Sequence, residues 1–170
     1  MMLEYTSADF AIGQFALQAL DNKSDGDYFI NRAQNWKNIY NPKINWLNSK
    51  HPNGEWKDIE HDWREATYKN YFWMVPYNLK GLIDTIGGKQ VAEKRLNTLF
   101  KRLDASYEED WFAAGNEPDF QVPWIYNWTS TPYKTSEVIH RILKDAYNSK
   151  PNGLPGNDDL GTMGAWYVYA

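Results

Sequence analysis

The chain has no cysteine, which removes disulfide scaffolds, thiolate zinc sites and cysteine nucleophiles together. It has no apolar run approaching the roughly 18 residues that a membrane span needs, and its mean hydropathy is -0.72. No apolar core of a secretory leader is present in this stretch either, which leaves the compartment open to any signal upstream. Lys and Arg total 18 against 22 Asp and Glu, a net charge of -4 with no basic block. That balance argues against a nucleic-acid partner, whose affinity comes from phosphate neutralisation. Histidine is scarce: His51, His61 and His140 form no HExxH or i,i+4 pair, so a histidine-rich metal site is not expected. Gly-x-Ser-x-Gly elbows, phosphate-cradling loops and dinucleotide fingerprints are missing as well. What is abundant is aromatic surface, with 9 Trp, 12 Tyr and 7 Phe in 170 residues, more than a single small core needs.

Hydrophobic spacing predicts helices along most of the chain. Ala8, Ile12, Phe15, Ala16, Ala19 and Leu20 form one 3.6-period stripe over residues 7–20, with Thr6 or Ser7 as cap. Phe29, Ala33, Trp36 and Tyr40 form a second stripe, and the short connection makes it an antiparallel neighbour. Asn41-Pro42 ends it. Residues 43–64 lack a period and read as a long surface segment carrying Trp46, Trp56 and Trp63. A third helical region starts near Thr67, breaks at Pro76, resumes to Ile86 and stops at Gly87-Gly88. Val91, Ala92, Leu96, Leu99, Phe100 and Leu103 mark a fourth. A short helix follows Pro123, and another opens at Thr135 with Val138, Ile139, Ile142, Leu143, Ala146 and Tyr147 inward. Residues 160–170 are apolar and helix-compatible up to the last residue. Successive helical hairpins make the class all-α, and the abrupt ends lead to the expectation of a piece of a longer domain.

Three stretches interrupt this pattern with acids and amides: Arg64-Glu65-Ala66-Thr67, Gly115-Asn116-Glu117-Pro118-Asp119 and Gly156-Asn157-Asp158-Asp159-Leu160-Gly161. Glu65, Glu117 and Asp159 lie 52 and 42 residues apart, about one hairpin each, so in a stack of hairpins the three loops emerge on one rim. Each precedes a helical segment, where backbone N–H groups favour anions and polar oxygens. The plain alternative is that they are N-caps, a common use of Asp, Asn and Glu. The tryptophans favour a site. Trp63, Trp73, Trp111, Trp124 and Trp128 lie near these loops, and ring faces beside carboxylates suit a sugar. Trp73 and Trp124 sit in helix-compatible runs and read as core, whereas Trp63 and Trp111 are candidates for exposure and substrate stacking. Paired carboxylates are the equipment of glycoside hydrolysis: one donates a proton to the leaving oxygen, the other attacks or activates water.

The motifs resemble those of glycoside hydrolase family 92. LEYTSADFAIGQFA is similar to the family's LEYAYDDWCIAQLA, and REATYKNYFWMVPYNLKGLIDTIGG to TEGNAWQYRWFVPHDVAGLIELMGG. GNEPDFQVPWIYNWTSTPYKT is similar to GNEPSHHIPYLYNYAGQPWKT, and NGLPGNDDLGTMGAWYVYA to DGLCGNEDCGQMSAWYVFS. The resemblance implies about half of an (α/α)6 toroid, with the rest of the toroid and an N-terminal β-sandwich absent. It also implies an exo-acting, inverting, α-1,2-mannosidase-like hydrolase of terminal α-linked mannose on mannose-containing glycans. By motif, Glu65 is the general acid, kept protonated by partial burial. Asp159 is the general base, supported by Asp158 or Asn157, and Asn116 and Glu117 contact the mannose. Calcium is implied near the base, with Asn70 and Asp159 marking the position; oxygen ligands suit that ion. The chain departs from the pattern at Ala66, Asn70, Tyr77, Asn78 and Asp119-Phe120-Gln121. The alternatives are a non-catalytic glycan- or partner-binding module of helical hairpins and an (α/α)6 glycosidase for another sugar. Uncovered helix faces are expected to leave an apolar patch or to drive self-association.

Overall fold

The computed structural model describes residues 2–170, and it divides into two compact units. The first comprises residues up to 61 together with 74–78. Its helices α1 (Met2–Gln18) and α2 (Lys23–Arg32) are joined by a short turn, in which the Asn22 side chain caps α2 by accepting from the Asp25 N–H. The structure corrects the predicted face of α1. Leu3, Thr6, Asp9, Gly13 and Ala16 are buried, whereas Ile12, Phe15 and Leu20 are exposed, so of the predicted stripe only Ala16 points inward. Close approach explains the choice. A Cβ on Gly26 would come within 2.4 Å of the Leu17 side chain, and one on Gly13 within 2.9 Å of Ile30. Asp9 on the same face meets Arg32 of α2 at 3.2 Å. Small residues and an ion pair thus set the helix contact, and the apolar stripe of Ile12, Phe15 and Leu20, with Tyr5 beside it, is left in solvent. The helix also begins earlier than predicted: Thr6 lies inside it, its hydroxyl donating to the Leu3 carbonyl.

Beyond α2 the chain tightens into a 3₁₀ helix, Ala33–Ile39, that buries Ala33 and Trp36. Tyr77 returns to this unit, stacking on Phe10 at 4.9 Å and donating its hydroxyl to the Ala33 carbonyl at 2.6 Å. A small hairpin joins the end of the second predicted stripe, where Tyr40 is a strand residue and not helical, to the segment that shows no period. Strand β1 (Tyr40–Asn41) pairs antiparallel with β2 (Trp46–Leu47), and the turn is closed by Tyr40 donating to Asn45 Oδ1.

The second unit comprises residues 62–73 and 79–170. Its core is built from Phe72, Trp73, Leu82, Ile86, Leu96, Ile125, Ile142 and Met163, all at most 2% exposed. The expected helix from Thr67 to Pro76 is not α-helical: a turn leads into the 3₁₀ helix Tyr71–Trp73, and the 3₁₀ turn Pro76–Asn78 that follows belongs to the first unit. Helix α3 (Leu79–Thr85) then runs to the Gly87-Gly88 stop, both residues at positive φ. Helix α4 (Lys89–Leu99) buries Ala92, Leu96 and Leu99 as its spacing predicts. A 3₁₀ helix at Val122–Trp128, α5 (Lys134–Asp145) and α6 (Thr162–Tyr169) complete the unit. Trp166 of α6 stacks on Tyr147 and donates its indole N–H to the Phe120 carbonyl. The architecture is mostly helical, with the one small hairpin added. Among the described residues no helix is long and apolar enough to cross a membrane.

Candidate active site

A cavity of about 710 Å³ opens in the second unit. Glu65, Gly115, Asn116, Glu117, Gly156, Asn157 and Asp159 all line it, so residues of the three acidic loops meet at one place. Glycine permits the approach of two of them. A Cβ on Gly115 would stand 2.7 Å from the Pro155 carbonyl oxygen, and one on Gly156 would stand 2.9 Å from that of Gly115. Backbone meets backbone here, so a side chain has nowhere to move. Gly115→Ala should therefore part the two loops, lowering stability by about 1–3 kcal/mol, which urea unfolding would measure.

A side chain ties the third loop in. Asn116, buried at 6% exposure, donates from Nδ2 to the Glu65 carbonyl at 2.8 Å. That bond answers the N-cap alternative for Asn116, which makes no side-chain cap bond to the 3₁₀ turn Glu117–Asp119 that follows it. Asp158 is not the N-cap of α6, which is Gly161, but its Oδ1 accepts from the Gly164 N–H at 3.0 Å in the first turn of that helix. Asp159 beside it is exposed and lines the cavity. Glu65 and Asp159 share a backbone feature, with φ of 56° and 46°, and Leu160 follows at 62°. Such left-handed conformations are uncommon for residues other than glycine and concentrate at functional positions.

Other expected members lie elsewhere. Neither Trp63 nor Trp111 is among the lining residues; Trp63 packs on Tyr71 at 5.8 Å between ring centres. Asn70 is also away from the cavity lining and is 2% exposed. Its Oδ1 accepts from the N–H groups of Thr67 and Tyr71, and its Nδ2 donates to the carbonyls of Glu109 and Trp111. With both oxygen lone pairs engaged, this amide fastens a turn and has none left for a cation. Among the described residues no group of three or more His, Asp or Glu is placed to hold a metal ion. The burial expected around Glu65 is missing too: its side chain is 43% exposed, on an open loop with Arg64 Nη2 at 3.2 Å.

The aromatic residue that does line the cavity is Tyr107, 57% exposed. Sequence periodicity gives no signal for it, because it sits in an irregular loop. Arg102 pins that loop, donating to Asp104 Oδ1 at 3.0 Å and to Glu109 Oε1 at 2.8 Å, while Glu109 Oε2 accepts from the Ser106 N–H. The Ser106 N–H first, and then Arg102, hold the Glu109 carboxyl below its ordinary range.

Separate carboxylates facing one open cavity, with amides and an aromatic ring around them, define the class of site that glycoside hydrolases use. The chain belongs to that class by descent: it is a member of glycosyl hydrolase family 92, whose catalytic domain matches residues 1–170. It is similar to a family 92 α-mannosidase of Bacteroides thetaiotaomicron, at 32% identity and a TM-score of 0.87 over 98% of this chain and 23% of that one. The same enzyme in complex with mannoimidazole gives 29% identity and a TM-score of 0.85, over 98% of this chain and 25% of that one. A family 92 inverting mannosidase of the same organism matches at 26% identity and a TM-score of 0.83, covering 99% of this chain and 26% of that one. An uncharacterized secreted glycosidase of Arthroderma benhamiae is 29% identical over 110 residues, 62% of this chain and 13% of that protein. The chain thus spans about a quarter of the solved relatives and less of the curated one.

Proposed function

We propose that this chain carries the catalytic carboxylates of an exo-acting α-mannosidase that removes terminal α-linked mannose from glycans, α-1,2 linkages among them, by a single inverting displacement. The observation that carries the reading is the meeting of Glu65, Asn116, Glu117 and Asp159 around one cavity, with Asn116 bonded to the Glu65 backbone. In this reading Glu65 donates a proton to the leaving oxygen and Asp159 takes one from the attacking water. For inversion the two carboxyls stand roughly 6.5–9.5 Å apart when a substrate is bound, which leaves room for that water. Asn116 and Glu117 hold the hydroxyls of the mannose. Tyr107 offers its ring face to the departing sugar. Asp158, bonded to α6, fixes the backbone from which Asp159 projects. The helical hairpins form part of an (α/α)6 toroid, and the outward stripe of α1 is covered within the complete toroid or, in this piece alone, by a second copy.

The test is release of mannose from α-1,2-linked mannobiose by the complete enzyme, with the anomer formed first followed by NMR. Appearance of β-mannose first is expected; α-mannose first would exclude inversion. Saturable binding without turnover would make the protein a glycan-binding module, and turnover of a different glycoside would reassign the sugar. Calcium in this proposal is held with groups beyond the described residues. Chelation is then expected to abolish turnover of the complete enzyme, whereas calorimetric titration of the 170-residue chain with calcium alone gives no binding heat.

A further inference from the structure

The loop that bears Asn116 and Glu117 ends in a carboxyl that the proposed chemistry does not use. Asp119 is 1% exposed; its Oδ2 accepts from the Ala113 N–H at 2.7 Å, and its Oδ1 is sealed from solvent with no hydrogen-bond partner. Among the described residues no charged group balances it. Burial pushes the carboxyl up to about 7, and the only opposing influence is the Ala113 N–H. The Tyr71–Trp73 turn packs against Glu117–Asp119 and brings one titratable group, the Tyr71 phenol. Glu117, on the same turn as Asp119, is exposed at the cavity. A protonated carboxyl costs far less at such a place than an unpaired charge.

The hydrogen bond shows what the group does. Ala113 and Asp119 are the two ends of the loop, and the bond between them closes it. Inside the loop the Asn116 N–H donates to the Ala113 carbonyl and the Asp119 N–H donates to the Asn116 carbonyl. From this closed loop Asn116 reaches the Glu65 carbonyl and Glu117 lines the cavity. Without an acceptor at 119 the Ala113 N–H, on a residue 5% exposed, would be buried and unpaired, a state that costs more than the bond itself contributes. We propose that Asp119 is a positioning residue that locks the 113–119 loop, and through Asn116 sets the backbone of Glu65 at the cavity. The inference rests on the reading of Glu65 as the acid.

Two variants test it in the complete enzyme. Asp119→Ala removes the acceptor, whereas Asp119→Asn presents a carbonyl oxygen in the same place. The expected result for Asp119→Ala is a kcat lower by about tenfold or more with KM changed less than about threefold, and for Asp119→Asn a kcat within about threefold of wild type. Hydrogen exchange of amides 113–117 at pH 7 gives a readout independent of turnover: faster than in wild type for Asp119→Ala, no faster than in wild type for Asp119→Asn. An inactive wild type would overturn the mannosidase reading while the exchange comparison still decided the role of Asp119. Wild-type kcat and exchange in Asp119→Ala would overturn the inference. If Asp119→Ala does not fold, Asp119→Asn decides alone, and loop exchange faster than in wild type at pH 7 in a folded Asp119→Asn protein would overturn it.

Discussion

Replacing Glu65 by Gln lowers kcat on mannobiose by about 10²–10⁴-fold, the range that a positioned general acid supplies, and the loss shrinks on an aryl mannoside. The contrast follows from what the acid does. A sugar alkoxide leaves only with a proton, whereas a nitrophenolate departs without one, so removal of the donor is felt in proportion to leaving-group basicity. Asp159→Asn behaves in the opposite way: its loss is of similar size and persists on the aryl substrate, because activation of water is needed whatever leaves. Both side chains are exposed on irregular loops, so neither change should unfold the protein, and circular dichroism would establish that alongside the kinetics. Equal losses on both substrates for Glu65→Gln would remove the acid assignment. Retained turnover in both variants would remove both carboxylates from the chemistry.

The parts of this molecule that were legible in the sequence are those that one physical rule decides. The inward faces of α4 and α5 follow from apolar spacing alone, because each helix packs its stripe against a core in its own unit. The face of α1 was misread because two rules conflict there. Its apolar stripe points one way, while Gly13, Gly26 and the Asp9–Arg32 pair draw the helices together on the other side. Spacing counts hydrophobic area and is blind to how near two backbones can come. The 71–73 turn was misread as α-helix for a related reason: Tyr71, Phe72 and Trp73 are consecutive and all buried, which a helix with one inward face cannot arrange but a tight turn inside a core can. At the site, the loops themselves were legible from their acids, amides and spacing. Tyr107 was not, since its placement depends on the Arg102 contacts with Asp104 and Glu109. Asn70 shows the converse: the residue type suits a metal, and only its backbone partners reveal that its oxygen is taken.

Stability should fall as pH rises from about 4 to about 7, and Asp119→Asn should abolish that part of the dependence. In the unfolded chain the Asp119 carboxyl titrates near its ordinary 3.8, whereas burial in the folded protein raises it to about 7. Between those two values the folded state holds a proton that the unfolded state has released, so raising the pH favours unfolding. The slope is about 1.4 kcal/mol for each pH unit, or about 4 kcal/mol across the window. Below the window both states are protonated and above it both are ionised, so the contribution is flat on either side. Asparagine cannot ionise. Its amide nitrogen takes the place of the protonated, unpartnered Oδ1 and brings two N–H donors where the acid has one O–H, at a constant cost of about 1–3 kcal/mol for the added buried donor. The variant is therefore expected to be the less stable protein near pH 4 and the more stable one near pH 8. Urea unfolding of both proteins at these two pH values measures the crossing, with other titrating groups cancelling in the difference. Parallel curves would mean that Asp119 ionises alike in both states and that water or a cation reaches Oδ1. A crossing would show that the loop beneath Asn116 and Glu117 is closed by a neutral acid, which makes the integrity of the site itself depend on pH near neutrality.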